Sequence, residues 1–200
     1  MNTLDFILDK YQVINLKSPI YLQCSRWGTL TRLFRELKFT VGAEIGVERG
    51  RFSKIICMVN PQLKLYGVDA WQMYEGYREH VSQERLDEFY IETKNRLKPF
   101  NCQLIKDWSM GAVRRFDDEA LDFVFIDSNH DYKYVKEDIG EWSKKVRKGG
   151  IVSGHDYVNG LHGITYGVKQ AVNEWVKENK ISPLFILKKD GCPTWMYVKA

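Results

Sequence analysis

The sequence contains no run approaching the ~20 consecutive apolar residues that a membrane-crossing helix needs, so a soluble protein is expected. It contains no Cys-x-x-Cys pair either. Cys24, Cys57, Cys102 and Cys192 stand far apart, which excludes a zinc knuckle or a redox dithiol and fits reduced thiols in a cytoplasm. There is no internal repeat, low-complexity tract or Pro/Gly-rich linker. With 200 residues, enough for one sizeable core and short for two, a single domain over 1–200 is expected. Met1 to Lys10 places Asp5 and Asp9 among apolar residues, unlike the basic and then apolar start of a secretion signal. A strong charge imbalance is also absent. The net charge of +4 is spread along the chain, and its densest basic cluster, Lys144, Lys145, Arg147 and Lys148, ends an expected helix where cations favour the dipole. Neither nucleic acid nor membrane is expected as a partner.

Short apolar runs alternate with stretches of helical period throughout, the pattern of a parallel α/β sheet. Seven strands are expected: Val41 to Ile45, Leu63 to Val68, Cys102 to Lys106, Leu121 to Ile126, Gly150 to Gly154, Leu184 to Lys188 and Trp195 to Lys199. Helices are expected near Thr29 to Leu37, Phe52 to Val59, Glu79 to Leu97, Gly111 to Arg115, Tyr134 to Val146 and Tyr166 to Glu178, with Met1 to Tyr11 opening an N-terminal helical cap over 1–40. The last two strands are joined by only Lys189 to Pro193, too short for a crossover helix, so they should pair antiparallel.

In such sheets ligands gather at the carboxyl ends of the strands. The first strand runs into Gly46-Val47-Glu48-Arg49-Gly50 and then Arg51-Phe52-Ser53, which opens a helix. The glycines permit either a plain tight turn or close backbone approach to a ligand. Asp69 ends the second strand, where an acid can accept from ribose hydroxyls or cap a turn. Asp107-Trp108-Ser109 ends the third, offering an acceptor and a ring for adenine, or equally a helix cap and a core tryptophan.

The fourth strand ends in Asp127-Ser128-Asn129-His130-Asp131-Tyr132 and the fifth in Ser153-Gly154-His155-Asp156-Tyr157. Two adjacent strand ends thus each present carboxylate and imidazole groups. Activating a hydroxyl needs a positioned base or a divalent cation, and Asp127, His155 and Asp156 can serve in either way. His130 is a further candidate catalytic group, or a buried hydrogen-bonded histidine; Asp131 reads as a cap for the helix that follows.

These residues together resemble the class I S-adenosylmethionine-dependent methyltransferases, and within them methyltransferase family 24. The resemblance covers about Val41 to Val176. It rests on Ala43-Glu44-Ile45-Gly46-Val47-Glu48-Arg49-Gly50, on Leu121 to Asp127 with Asn129-His130-Asp131-Tyr132, and on Gly149 to Tyr157. It implies a Rossmann-like fold, mostly parallel, with helices on both faces and an antiparallel C-terminal hairpin. It also implies S-adenosylmethionine as cofactor. Glu44, Gly46, Gly50 and Ser53 would shape the methionine pocket, Asp69 would bind ribose, and Asp107, Trp108 and Ser109 would flank adenine, with Asp127 beside the methyl donor. Catechol and macrolide-sugar O-methyltransferases look like distant relatives whose metal ligands match Asp127, His155 and Asp156, implying magnesium or manganese. His155 departs from the acid usual there; without a metal it becomes the general base.

Trp71 to Arg78, with Arg26 and Trp27, reads as an aromatic lid over a small acceptor such as a sugar or phenol hydroxyl, or else as packing for the N-terminal segment. Residues 70–100 would hold this lid and a helix. A homo-oligomer is compatible with the sequence. Two rivals stand beside the methyltransferase: a nicotinamide-dependent oxidoreductase, disfavoured because the glycines do not follow Gly-x-Gly-x-x-Gly, and a noncatalytic module that binds S-adenosylmethionine.

Overall fold

The computed structural model of the protein describes residues 2–74, 82–161 and 163–200. Its centre is an eight-stranded sheet. In chain order the strands are β1 (Ile20–Leu22), β2 (Val41–Ile45), β3 (Lys64–Asp69), β4 (Cys102–Lys106), β5 (Leu121–Ile126), β6 (Val146–Gly154), β9 (Phe185–Leu187) and β10 (Thr194–Val198); β7 (Gly160–Leu161) and β8 (Ile164–Thr165) pair separately as a small antiparallel hairpin. The spatial order is β1-β9-β10-β6-β5-β2-β3-β4, with β10 antiparallel between β6 and β9 and the other pairs parallel.

The expected hairpin is present, and its last strand inserts between two others. The expected count of seven is short by one. Ile20–Leu22 lies in the stretch expected to be a purely helical cap, yet pairs with β9 in the register Ile20↔Phe185. Three residues are too few to show alternation, which is why this strand escaped the period-based reading.

Helices cover both faces: α1 (Thr3–Lys10), α2 (Thr31–Glu36) after a π-helical turn at Arg26–Leu30, α3 (Arg51–Val59) and α4 (Gln83–Leu97), then α5 (Ser109–Ala112), α6 (Tyr132–Lys145) and α7 (Val168–Glu178). The two-residue period of β5 decides which face each residue joins. Phe123 and Phe125 enter one core with Phe34, Phe52 and Ile56, and Phe34 stacks on Phe123 at 3.8 Å. Val124 and Ile126 enter the other with Val135, Ile139, Trp142 and Val172. Among the described residues no helix is long and apolar enough to cross a membrane.

Candidate active site

Hydrogen bonds between the strand ends hold the carboxyl edge of the sheet together. Gly46 donates to the Val68 carbonyl at 2.8 Å, Asp107 to Asp69 at 3.0 Å, Asp127 to Ile45 at 2.7 Å and His155 to Ile126 at 3.0 Å. Every expected site residue therefore lies at or beside one edge. Gly46 has φ +90°, and a Cβ there would meet the Asp127 carbonyl oxygen at 2.0 Å, so only glycine fits. Gly50 sits at φ +66° where α3 begins.

Asp69 braces this glycine loop. Its Oδ2 accepts from the Val47 and Glu48 amides at 3.0 and 2.8 Å, and its Oδ1 accepts from Trp71 N at 2.8 Å. Burial still raises its carboxyl above the ordinary range against those three donors. Glu44 is buried beneath the loop and accepts from the Ser53 hydroxyl; burial pushes its carboxyl well up, although that hydrogen bond opposes the shift.

At the end of β4, Asp107 pairs with Arg115, and Trp108 is 44% exposed, presenting a ring to solvent and not to the core. Ser109 turns the other way. Its hydroxyl donates to Asp138 and accepts from Trp142 Nε1 at 2.8 Å.

The ends of β5 and β6 bring Asp127, His130, His155 and Asp156 together. His130 Nε2 lies 3.0 Å from Asp156 Oδ2 and 3.7 Å from Asp127 Oδ1. This buried nitrogen therefore faces both carboxylates, with Asp156 the nearer. His155 Nδ1 stands 3.2 Å from Asp156 Oδ1 and 3.7 Å from Asp127 Oδ1. Burial pulls the His130 imidazole down, but Asp127 and Asp156 outweigh it and raise it to about 10. Burial likewise pushes Asp156 up, and the two imidazoles overcome it and hold the carboxyl far below the usual range. Asp156 adopts φ +52°, a left-handed backbone that Asp tolerates. The expected trio Asp127, His155 and Asp156 is brought together, and His130 joins it. Asp127, His130 and Asp156 each offer one ligand atom, all within 4.8 Å of one another.

Arg26 approaches from outside. Its Nη1 lies 3.4 Å from Asp127 Oδ2, and its guanidinium rests over the Trp27 and Phe52 rings. Asp190, in the turn between β9 and β10, fixes this segment by accepting from the Ser25 hydroxyl at 2.6 Å and Arg26 N at 2.7 Å.

Of the expected lid, Trp71 is 1% exposed and donates to the Glu48 carbonyl at 2.7 Å, packing with Val47, Leu86 and Phe89, so it is core. Tyr74 reaches the site and accepts from Asn129 Nδ2 at 2.5 Å. Gln72 and Met73 are exposed, and 75–78 lie outside the described residues. A solvent-open cleft is bounded by Tyr74, Asn129, His130, Ile164, Thr165 and Tyr166. Asp138 went unread in the sequence, although an aspartate between Val135, Ile139 and Trp142 on the buried stripe of α6 was a usable signal.

A profile for methyltransferase family 24, described as a methyltransferase domain, matches residues 43–157, more than half of the chain. The chain belongs to this methyltransferase family. The span shared with other family members runs from β2 to just beyond Asp156, so it holds all of the expected cofactor and reacting residues. Membership sets aside the nicotinamide oxidoreductase.

No curated protein sequence matches this methyltransferase. Solved structures share its fold. A Staphylococcus aureus protein assigned as a caffeoyl-CoA O-methyltransferase has a TM-score of 0.66 at 13% identity, over 97% of this chain and 98% of that one. An O-methyltransferase from Bacillus cereus, solved with SAH, reaches 0.64 at 15% identity over 98% and 90%. The O-methyltransferase TomG from Streptomyces achromogenes, involved in tomaymycin synthesis and solved with SAM, reaches 0.62 at 15% over 96% and 86%.

Proposed function

We propose that this methyltransferase moves a methyl group from S-adenosylmethionine to a hydroxyl of a small acceptor, and that Asp127, His130, His155 and Asp156 activate that hydroxyl. The observation that carries the reading is the meeting of two carboxylates and two imidazoles at the ends of β5 and β6. O-methyltransferases of similar fold were solved with SAM or SAH. In this reading the cofactor lies along the ends of β2, β3 and β4. Glu44 and Ser53 take the methionine part, with Gly46 and Gly50 leaving room for it. Asp69 takes the ribose, since a carboxylate bonded to three amides keeps lone pairs for a further donor. Asp107 and Trp108 border adenine, and Ser109 supports them from below. Residues 1–200 form one domain, with 1–40 as its cap. The four free cysteines support a reducing, cytoplasmic setting.

A protonated hydroxyl is a poor nucleophile, so its proton must leave as the methyl arrives. The orphaned His130 nitrogen and its two facing carboxylates fit magnesium or manganese, with the imidazole favouring manganese. A cation bound there would lower the pKa of the acceptor hydroxyl. Asp127 and Asp156 would hold that cation beside the acceptor oxygen, and His155 borders both carboxylates, placed to receive the proton. The C–O bond forms as the C–S bond of the sulfonium breaks, leaving a neutral thioether. Holding the oxygen in line with that bond supplies about 7 kcal/mol or more of the acceleration. Tyr74 and Tyr166 along the cleft suit a ring-shaped acceptor, whether phenol or sugar.

The test is transfer of labelled methyl from S-adenosylmethionine to a panel of phenols, catechols and sugars, with magnesium, manganese or chelator. Label on a hydroxyl oxygen, lost on Asp127→Ala, is the expected outcome. Label arriving only on nitrogen or carbon contradicts the proposal.

A further inference from the structure

Asp138 is a buried carboxylate, 3% exposed, on the stripe of α6 that faces the sheet. A carboxylate this deep needs partners for both oxygens. It has them: the Ser109 hydroxyl donates to Oδ1, and the Ser128 hydroxyl donates to Oδ2 at 2.5 Å. Ser109 is further fixed by Trp142 Nε1 at 2.8 Å. The two serines come from different parts of the edge. Ser109 follows Asp107 and Trp108 at the end of β4, and Ser128 follows Asp127 at the end of β5. In the sheet these strands are separated by β2 and β3, so no ladder hydrogen bond joins them. Tyr74 touches both loops from the open side, edge-on to Trp108 and bonded to Asn129; Asp138 does so from beneath.

We infer that Asp138 is a positioning residue which, through Ser109 and Ser128, fixes the spacing between the adenine end and the methyl end of the cofactor pocket. The inference rests on the cofactor placement proposed above. A ligand spanning both loops gains from their being held in register before it binds; a fragment that reaches only one loop does not. Asp138 touches neither cofactor nor acceptor, so its effect passes through the serines. Burial raises its carboxyl to about 6, while the two serine hydroxyls that donate to it favour the charged form.

The experiment is calorimetric titration of the full chain with S-adenosylhomocysteine, which spans both loops, and with adenosine, which reaches only one. Ser109→Ala, Ser128→Ala, the double variant, Asp138→Leu and Asp138→Asn are compared with wild type, each checked for a native unfolding transition. Cutting either side of the tie breaks it, so each serine variant should weaken S-adenosylhomocysteine about tenfold, and the double variant should be no worse than either single, the non-additivity of residues that act as one unit. Ser128→Ala should leave adenosine within about twofold, because its serine lies on the far loop. Asp138→Leu should match the double variant. Asp138→Asn, which keeps an acceptor and offers a donor that a serine oxygen can take, should recover part of the affinity. Ser128→Ala removes a single oxygen and keeps the test open if a variant at Asp138 fails to fold. Losses that add, or unchanged S-adenosylhomocysteine affinity in folded Ser128→Ala protein, overturn the inference. A wild type that binds adenosine but not S-adenosylhomocysteine overturns it as well. A wild type that binds neither overturns the cofactor placement, and the inference falls with it.

Discussion

At Gly46 the strand β2 ends under the Asp127 carbonyl oxygen, and φ of +90° together with a 2.0 Å approach leaves no space for a methyl group. Gly46→Ala should therefore cost about 2–4 kcal/mol, from left-handed strain plus overpacking, read as a fall in the denaturant midpoint at unchanged slope. A variant as stable as wild type would contradict the close approach. Among single residues, those whose side-chain chemistry is unusual for their place were the legible ones. Glycines after a strand and acids at strand ends pointed to one edge of the sheet, and Gly46, Asp69, Asp127 and Asp156 all lie along it. Direction was less legible. Nothing local shows that Ser109 turns toward α6 while its neighbour Trp108 turns to solvent, or that Trp71 enters the core. Those choices are made by Asp138, Trp142 and Phe89, which come from other helices.

The element with most to say is α6, because its buried stripe contains a charge. Burial lifts the Asp138 carboxyl to about 6 from an ordinary 3.8, against the two serine hydroxyls. Between about pH 4 and 6 the folded protein then keeps a proton that the unfolded chain has lost, so this group's contribution to stability falls as pH rises through that window. Its full size is about 3 kcal/mol. The stability of wild type relative to Asp138→Asn should decline by up to that amount from pH 4 to 7, measured by urea unfolding. A difference that stays flat across the range would contradict the shift. A continuous apolar run with an abrupt polar end was readable in β5, although only the fold sorts Phe123 and Phe125 to one face and Val124 and Ile126 to the other. The strands β1, β7 and β8, of two or three residues each, carry no period to read. Their partners alone define them, β9 for the first and each other for the last two.

Over the whole molecule, the insertion of β10 between β6 and β9 carries the Asp190 turn to the same edge as the site. There Asp190 fixes Ser25 and Arg26, and Arg26 reaches Asp127 across 3.4 Å, so the N-terminal segment and the C-terminal hairpin close the site together. Beyond the antiparallel pairing of the last two strands, the order of strands was not legible, since periodicity says what forms and not what lies beside what. With the edge assembled, the central claim is that S-adenosylmethionine lies along it with its adenine at Trp108. The most direct measurement is calorimetric titration with S-adenosylhomocysteine of wild type and Trp108→Ala. Trp108 is 44% exposed, so its removal should leave folding intact while the lost ring stacking weakens binding about tenfold. Micromolar binding by wild type and that loss in the variant are the predicted result; no binding by folded wild-type protein, or equal binding by the two, would contradict it.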